Sequence, residues 1–383
     1  MLNFTFQLPT LALFGEGQIQ AIREHIPQDA RILVTTGGGS VKKNGVFAQV
    51  ENALAGFYWR EFSGIEPNPR YETLMKAVEV VKQENLDFIL AVGGGSVLDG
   101  SKFIASAVKF VGEPWDILAK HHPVQYALPL GCIMTLPATG SEMNGYAVIS
   151  RQQTGDKLSF ASPLVRPVFA VLDPTTTYSL PEKQTANGVV DAFVHTFEQY
   201  MTYPQQAKIQ DRFAEGVFQT LIEEGPKVLA NPTDYDARAN IMWAATMALN
   251  EILSVGVVQD WASHAIGHEL TALYGLDHAQ TLAIIVPALM QHQKANKREK
   301  LIQFAQRVWN YQGGEEQAIQ VSIEKTRQFF EQMGVKTRFS DYAIDDSQFS
   351  VILDKLAEHQ AYNLGEHQHL DRQAVNEILY AAL

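Results

Sequence analysis

One cysteine in 383 residues is too few for an internal disulfide, and Cys132, inside the apolar run LGCIMTLP, reads as packing. The same scarcity excludes cysteine-rich zinc sites. No apolar run reaches 18 residues, and the start MLNFTFQLPT has neither the basic nor the apolar region of a secretory signal. A soluble, cytoplasmic chain without a membrane span is therefore expected. Basic residues are outnumbered, 30 Lys and Arg against 42 Asp and Glu, and the net charge of −12 disfavours nucleic acid and anionic membrane as partners. The GxGxxG dinucleotide fingerprint is absent too, so an ordinary Rossmann domain is not indicated.

What is present is enough for two domains, since 46% of residues are hydrophobic. From residue 31 to about 172, apolar runs of strand length (RILVTT, FYWREF, LDFILAV, LGCIMTLP, VFAVLD) alternate with amphipathic segments such as Tyr71 to Glu84. That alternation predicts a mostly parallel sheet with helices on both faces, whose ligand site lies beyond the carboxyl ends of the strands. Two strand-to-helix loops there are glycine-rich. In LAVGGGSVLDGSK, Gly94, Gly95 and Ser96 offer backbone N–H groups and a helix N-terminus to a phosphate, though glycines also serve a tight turn. LVTTGGGSVKKNG repeats the arrangement at Gly37 to Ser40, followed by Lys42 and Lys43. No acid stands between Arg31 and Glu51 to repel the 2′-phosphate of NADP, so this loop predicts NADP(H) over NAD(H).

After Asp173 the texture turns helical. We expect an α/β fold in which residues 1–180 form a parallel-sheet, dinucleotide-binding domain and residues 181–383 an all-helical, metal-binding domain. The helical part holds the chemistry that the composition does not explain. In QDWASHAIGHELTALYGLDHAQTLA, His264 and His268 share one helix face, and Gly275 is a fitting stop that allows His278 to fold back. In PEKQTANGVVDAFVHTFEQY, Asp191 and His195 are likewise four apart among Val, Ala and Phe. A carboxylate in such surroundings costs several kcal/mol without a positive partner, and no nearby Lys or Arg supplies one. Two such pairs can converge, giving Asp191, His195, His264 and His278 as ligands of a divalent cation, with His268 beside them. His367 and His369 lie in the polar segment EHQHL and read as a solvated loop.

These motifs, together with PTLALFGEG, GIEPNP and TLPATGSEMN, resemble the iron-containing alcohol dehydrogenases over essentially the full chain. The similarity is strongest to the NADPH-dependent butanol dehydrogenase and aldehyde reductase branch. The resemblance implies the same four metal ligands, Fe²⁺ or Zn²⁺ as the ion, and His268 as an unligated residue beside the substrate. It also implies cofactor contacts at Gly38, Ser40, Gly94, Gly95, Ser96, Asp99, Thr135, Asn144 and Lys157, and a homodimer. An aldehyde or primary alcohol is the expected small-molecule substrate, with Trp261, Tyr274, Phe193 and Leu273 as candidate apolar lining. The competing reading is a metal-dependent lyase or cyclase resembling dehydroquinate synthase in fold. It would call for several Lys and Arg residues near the histidines, which the sequence does not supply.

Overall fold

A strand buried on both faces must be apolar at every position, with successive side chains entering opposite layers. FILAV, LGCIM and FAVL meet that condition, whereas YWREF is half-exposed at a sheet edge. The structure, a computed structural model, describes residues 1–383. Its strands are β1 (Leu11–Phe14), β2 (Arg31–Thr36), β3 (Tyr58–Phe62), β4 (Phe88–Gly94), β5 (Leu130–Leu136), β6 (Tyr146–Arg151), β7 (Asp156–Ala161) and β8 (Phe169–Leu172). Among them lie α1 (Ser40–Lys43), α2 (Val46–Ala53), α3 (Tyr71–Glu84), α4 (Gly95–Ala107) and α5 (Asp116–Ala119). The helices that follow are α6 (Glu182–Tyr200), α7 (Lys208–Ala230), α8 (Tyr235–Ala248), α9 (Ala262–Tyr274), α10 (His278–His292), α11 (Arg298–Arg307), α12 (Glu315–Gln332), α13 (Phe349–Glu358) and α14 (Arg372–Ala381).

Six strands form one sheet in the order β1-β8-β5-β4-β2-β3, and every pairing in it is parallel. One face buries Leu33, Ile89, Cys132 and Ala170 against Leu74 and Val78 of α3 and Leu98 and Phe103 of α4. The other buries Ile32, Leu90, Ile133 and Val171 against Val46, Phe47 and Val50 of α2. Neighbours such as Ile32 and Leu33 thus serve different layers, as the pleat requires. Strands β6 and β7 form a separate antiparallel hairpin, turning at Gly155.

Two compact units result. The sheet unit comprises Gln7–Leu180 and Pro232–Thr246; the helical unit comprises Met1–Phe6, Pro181–Asn231 and Met247–Leu383. Most of α8 therefore groups with the sheet, a departure from a single cut at residue 180. The reason is local: Met242 is buried in the sheet's core, and Trp243 stacks edge-on against Phe14 at 5.8 Å. In the helical unit, Phe193 of α6 sits among Phe218, Phe304, Phe329 and Phe330. Burying one such ring contributes about 1.5–3 kcal/mol. A second core joins Ile266 and Leu270 of α9 to Ile284 and Leu289 of α10 and Ile378 of α14. No helix is long and apolar enough to cross a membrane.

Candidate metal centre

Helix α6 begins after Pro181, and its positions Asp191, His195 and Glu198 fall four and then three residues apart, on one face. All three are buried. Helix α9 begins after Trp261, with the Asp260 carboxylate accepting from the Ala262 N–H at 2.9 Å, and stops where Gly275 takes φ 68°. Asp277 then opens α10 through a capping box in which its side chain and that of Gln280 satisfy each other's backbone N–H. His278 is the first residue of that helix. The short turn between α9 and α10 thus returns His278 towards His264, and their ring centroids are 5.0 Å apart.

One ligand atom from each of Asp191, His195, His264 and His278 lies within 4.8 Å of the others. His195 Nε2 is 3.6 Å and His278 Nε2 3.8 Å from Asp191 Oδ1. Those separations exceed hydrogen-bond range. They are close to the roughly 3.4 Å edge of a tetrahedron whose ligands lie about 2.1 Å from a shared ion. Asp191 Oδ1 is buried and accepts no hydrogen bond. A buried carboxylate oxygen in that condition fits a cation, and the donor set of one carboxylate and three imidazoles suits Fe²⁺ or Zn²⁺. His268 stands beside the group, its ring 5.4 Å from that of His278 and 6.3 Å from that of His264.

Sequence reasoning overlooked the groups that hold these ligands. Glu198 contacts His264 Nδ1 and Ser263 Oγ very closely and accepts from the Ser263 N–H at 2.8 Å. Burial pushes the Glu198 carboxyl well up, as does the neighbouring Asp260 carboxylate. Lys297, equally buried, donates to Met201 O at 2.6 Å, Asp260 Oδ2 at 2.8 Å and Glu366 Oε1 at 2.7 Å. Burial works to raise Asp260, but the Lys297 charge together with the hydrogen bonds from Glu366, Lys297 and the Ala262 N–H holds this carboxyl below the usual range. The segment EHQHL is therefore only partly the solvated loop expected: Glu366 is buried in an ion pair, and His369 bonds Gln293 at 2.7 Å. The apolar lining also needs correction. Phe193 belongs to the aromatic core described above, whereas Trp261 does flank the centre, 5.1 Å from His264.

The expected cofactor residues all belong to the sheet unit. Gly38 is exposed in the loop after β2, and Ser40 is exposed at the start of α1. Lys42, however, pairs with Glu61 at the end of β3, 2.8 Å away, so an acid absent from the loop's own sequence arrives from the neighbouring strand. Gly94, Gly95 and Ser96 join β4 to α4, whose first turn has no side-chain cap, leaving its N–H groups for an anion. Gly95 has a packing reason as well, since a Cβ there would lie 2.5 Å from Thr139 Oγ1. Thr135 is buried near the end of β5, and Lys157 is buried in β7. Asp99 accepts from Ser141 Oγ at 2.6 Å and from the Val148 N–H at 3.0 Å. Asn144 accepts from Lys102 Nζ at 3.1 Å and the Tyr146 N–H at 3.0 Å, and donates to Thr139 O at 3.2 Å. Asp99 and Asn144 therefore clamp the β5–β6 connection through their own bonds.

Parallel sheet, uncapped phosphate-type loops and a four-ligand centre on following helices agree with what family comparison finds. Residues 9–174 match the iron-containing alcohol dehydrogenase model, and residues 185–383 match the C-terminal model of the Fe-containing alcohol dehydrogenase family. The chain belongs to that family. It is 57% identical to the NADPH-dependent aldehyde reductase YqhD of Escherichia coli strain K12 over the full length of both proteins. It is 39% identical to the probable NADH-dependent butanol dehydrogenase 1 of Bacillus subtilis, again over all of both chains. The crystal structure of NADH-dependent butanol dehydrogenase A from Thermotoga maritima superposes with a TM-score of 0.95 at 36% identity, covering 100% of this chain and 99% of that one.

Proposed function

We propose that the chain is a metal-dependent oxidoreductase that interconverts aldehydes and primary alcohols with NADP(H), a broad-range aldehyde reductase resembling the butanol dehydrogenases. The observation that carries this reading is the cluster of buried Asp191, His195 and His264 with partly exposed His278, and its unmatched Asp191 oxygen. Likeness to an NADPH-dependent aldehyde reductase at 57% identity supports the reaction and the coenzyme, and no lyase or cyclase is among the relatives just described. When bound, Fe²⁺ or Zn²⁺ polarises the carbonyl oxygen and the reduced nicotinamide supplies the hydride.

The four ligands would hold the ion with a net charge of about +1, one carboxylate against two positive charges. Gly38, Ser40, Gly94, Gly95 and Ser96 would hold the coenzyme's phosphates through backbone N–H and hydroxyl groups. Asp99, Thr135, Asn144 and Lys157 would shape the rest of that site. His268, next to the ligands without joining them, would hand the proton to the product oxygen. Trp261 would offer an apolar wall to the aldehyde's chain. The test is loss of NADPH absorbance on adding butanal to protein loaded with Fe²⁺ or Zn²⁺, against metal-free protein. No aldehyde-dependent loss with either ion would overturn the proposal.

The same reading includes a homodimer working in the cytoplasm, where a free thiol such as buried Cys132 persists. Support for a second copy comes from the sheet edge. Strand β1 is an edge strand with exposed Leu11 and Phe14, and an open edge is a template for pairing. Sedimentation at micromolar concentration decides it, and a monomer removes this part.

A further inference from the structure

We infer that Glu198 is a positioning residue for the metal centre, which fixes the face that His264 presents to the ion. The inference rests on the proposed function and adds a residue to it. Glu198 lies one turn beyond His195 on α6, its side chain only 1% exposed. Its two oxygens are divided between two tasks. Oε1 takes both the backbone N–H and the hydroxyl of Ser263, and Oε2 meets His264 Nδ1. Ser263 and His264 are adjacent on α9, so the carboxylate grips the helix backbone and the imidazole together.

An imidazole that donates Nδ1–H to a carboxylate leaves Nε2 as its lone-pair donor. One ring nitrogen of His264 lies within 4.8 Å of the ligand atoms of Asp191, His195 and His278, and its ring stacks on that of His195 at 4.8 Å. Ring orientation and tautomer thus both follow from one carboxylate, as carboxylate–histidine–metal arrangements require. Helix α6 supplies two ligands directly and orients a third. Its carbonyl at Glu198 also accepts from the Asp260 N–H at 2.8 Å, so the entry to α9 is anchored at the same residue.

Glutamine separates this role from packing. In Glu198→Gln the side chain keeps its size but has one acceptor and one donor. With the amide oxygen on Ser263, the NH₂ faces Nδ1 and drives the imidazole proton to Nε2, where it blocks the ligand position. Turned the other way, the NH₂ meets the Ser263 N–H. Either arrangement weakens metal binding. If Glu198 only filled space, the same substitution would remove a buried charge and leave the centre untouched.

The experiment measures Co²⁺ affinity by chelator competition, with visible absorption of the bound ion as a signature of its coordination. NADPH binding to the metal-free protein, followed by fluorescence, serves as a control on the sheet unit. The expected result is about a ten- to hundredfold loss of Co²⁺ affinity in Glu198→Gln with an altered Co²⁺ spectrum and unchanged NADPH binding. Wild-type affinity and spectrum in that variant would overturn the inference. Should Glu198→Gln fail to fold, Ser263→Ala decides: it removes one contact to Oε1 and should lower Co²⁺ affinity about two- to tenfold, whereas no change would sink the idea. Failure of the wild-type protein to bind Co²⁺ would instead remove the proposed function itself.

Discussion

At the scale of single residues, the four candidate ligands and His268 differ in what their loss should do. Asp191→Ala removes the one negative donor of the group, and His264→Ala removes the imidazole gripped by Glu198. Each should cost the metal and lower activity by more than about a hundredfold, since a Lewis acid contributes several kcal/mol. The sheet unit contains neither residue and should stay folded. His268→Ala should keep stoichiometric metal and slow turnover, or shift its pH dependence. Metal analysis of the purified variants distinguishes these outcomes, and metal loss on removing His268 would place it among the ligands. Lys102 makes a second residue-scale prediction. Its ammonium is wholly buried, bonded to Asn144 Oδ1 and to Tyr146 O at 2.8 Å, and burial lowers it to about 8 although Asp99 pulls the other way. An unfolded lysine titrates near 10.4. Below about pH 8 both states carry the proton and the cost of burying it is fully present. Between about 8 and 10.4 the unfolded chain binds a proton that the folded one has released, so stability rises with pH across that window. Lys102→Met cannot show this gain. The urea midpoint of the wild type relative to Lys102→Met should therefore increase from about pH 7 to about pH 10, and a constant difference would mean that Lys102 does not titrate there.

At the scale of elements, the loop between β2 and α1 sets the coenzyme prediction. Lys42 is engaged with Glu61, which also takes the Thr36 hydroxyl at 3.2 Å, whereas Lys43 makes no ion pair. Lys43→Ala should then raise KM for NADPH about three- to tenfold and leave that for NADH alone, while Lys42→Ala changes either by less than about twofold. Introducing a carboxylate needs a position that tolerates a side chain. Gly39 has φ 94°, which strains any L-residue, but Gly38 has no such φ and no atom within 4 Å of a Cβ. Gly38→Asp should shift the NADPH to NADH ratio of kcat/KM by at least about tenfold towards NADH, equivalent to ~1.4 kcal/mol. An unchanged ratio would show that the loop does not read the 2′ position. The same elements show what was legible. Strands β2, β4 and β5 could be read because mainly apolar runs of strand length, with glycine or proline at their ends, leave few other readings. Strand β1, four residues long at an edge, and the hairpin of β6 and β7, with polar residues such as Asp156, Lys157 and Ser159, give no such run. Two helices with i, i+4 pairs announced the metal group. Glu198 stood in the same motif, but one carboxylate among apolar residues does not reveal which oxygen meets which donor. The Lys42–Glu61 pair depends on the register of β2 on β3, and no local pattern carries it.

At the scale of the whole molecule, metal and coenzyme are assigned to different units. Asp191, His195, His264 and His278 all belong to the helical unit, and every candidate coenzyme contact from Gly38 to Lys157 belongs to the sheet unit. A ligand that binds only the folded state stabilises the part that holds it, by about 4.1 kcal/mol at a thousandfold excess over Kd. For a unit of this size, at about 2–4 °C per kcal/mol, that corresponds to roughly 8–16 °C in Tm. Chelation should therefore lower the unfolding temperature of the helical unit and speed amide exchange in α6, α9 and α10, where Asp191, His195, His264 and His278 lose the charge that holds them together. Strand β4 and the start of α4 should keep their protection. Adding NADPH to the metal-free protein should do the reverse, slowing exchange in the loops at Gly38 and Gly94 and leaving α9 fast. Hydrogen exchange read by mass spectrometry locates both effects on the chain. If metal removal deprotected the sheet unit as strongly as the helical one, the four-ligand group would be stabilising more than its own unit, and the assignment of separate sites to separate units would fail.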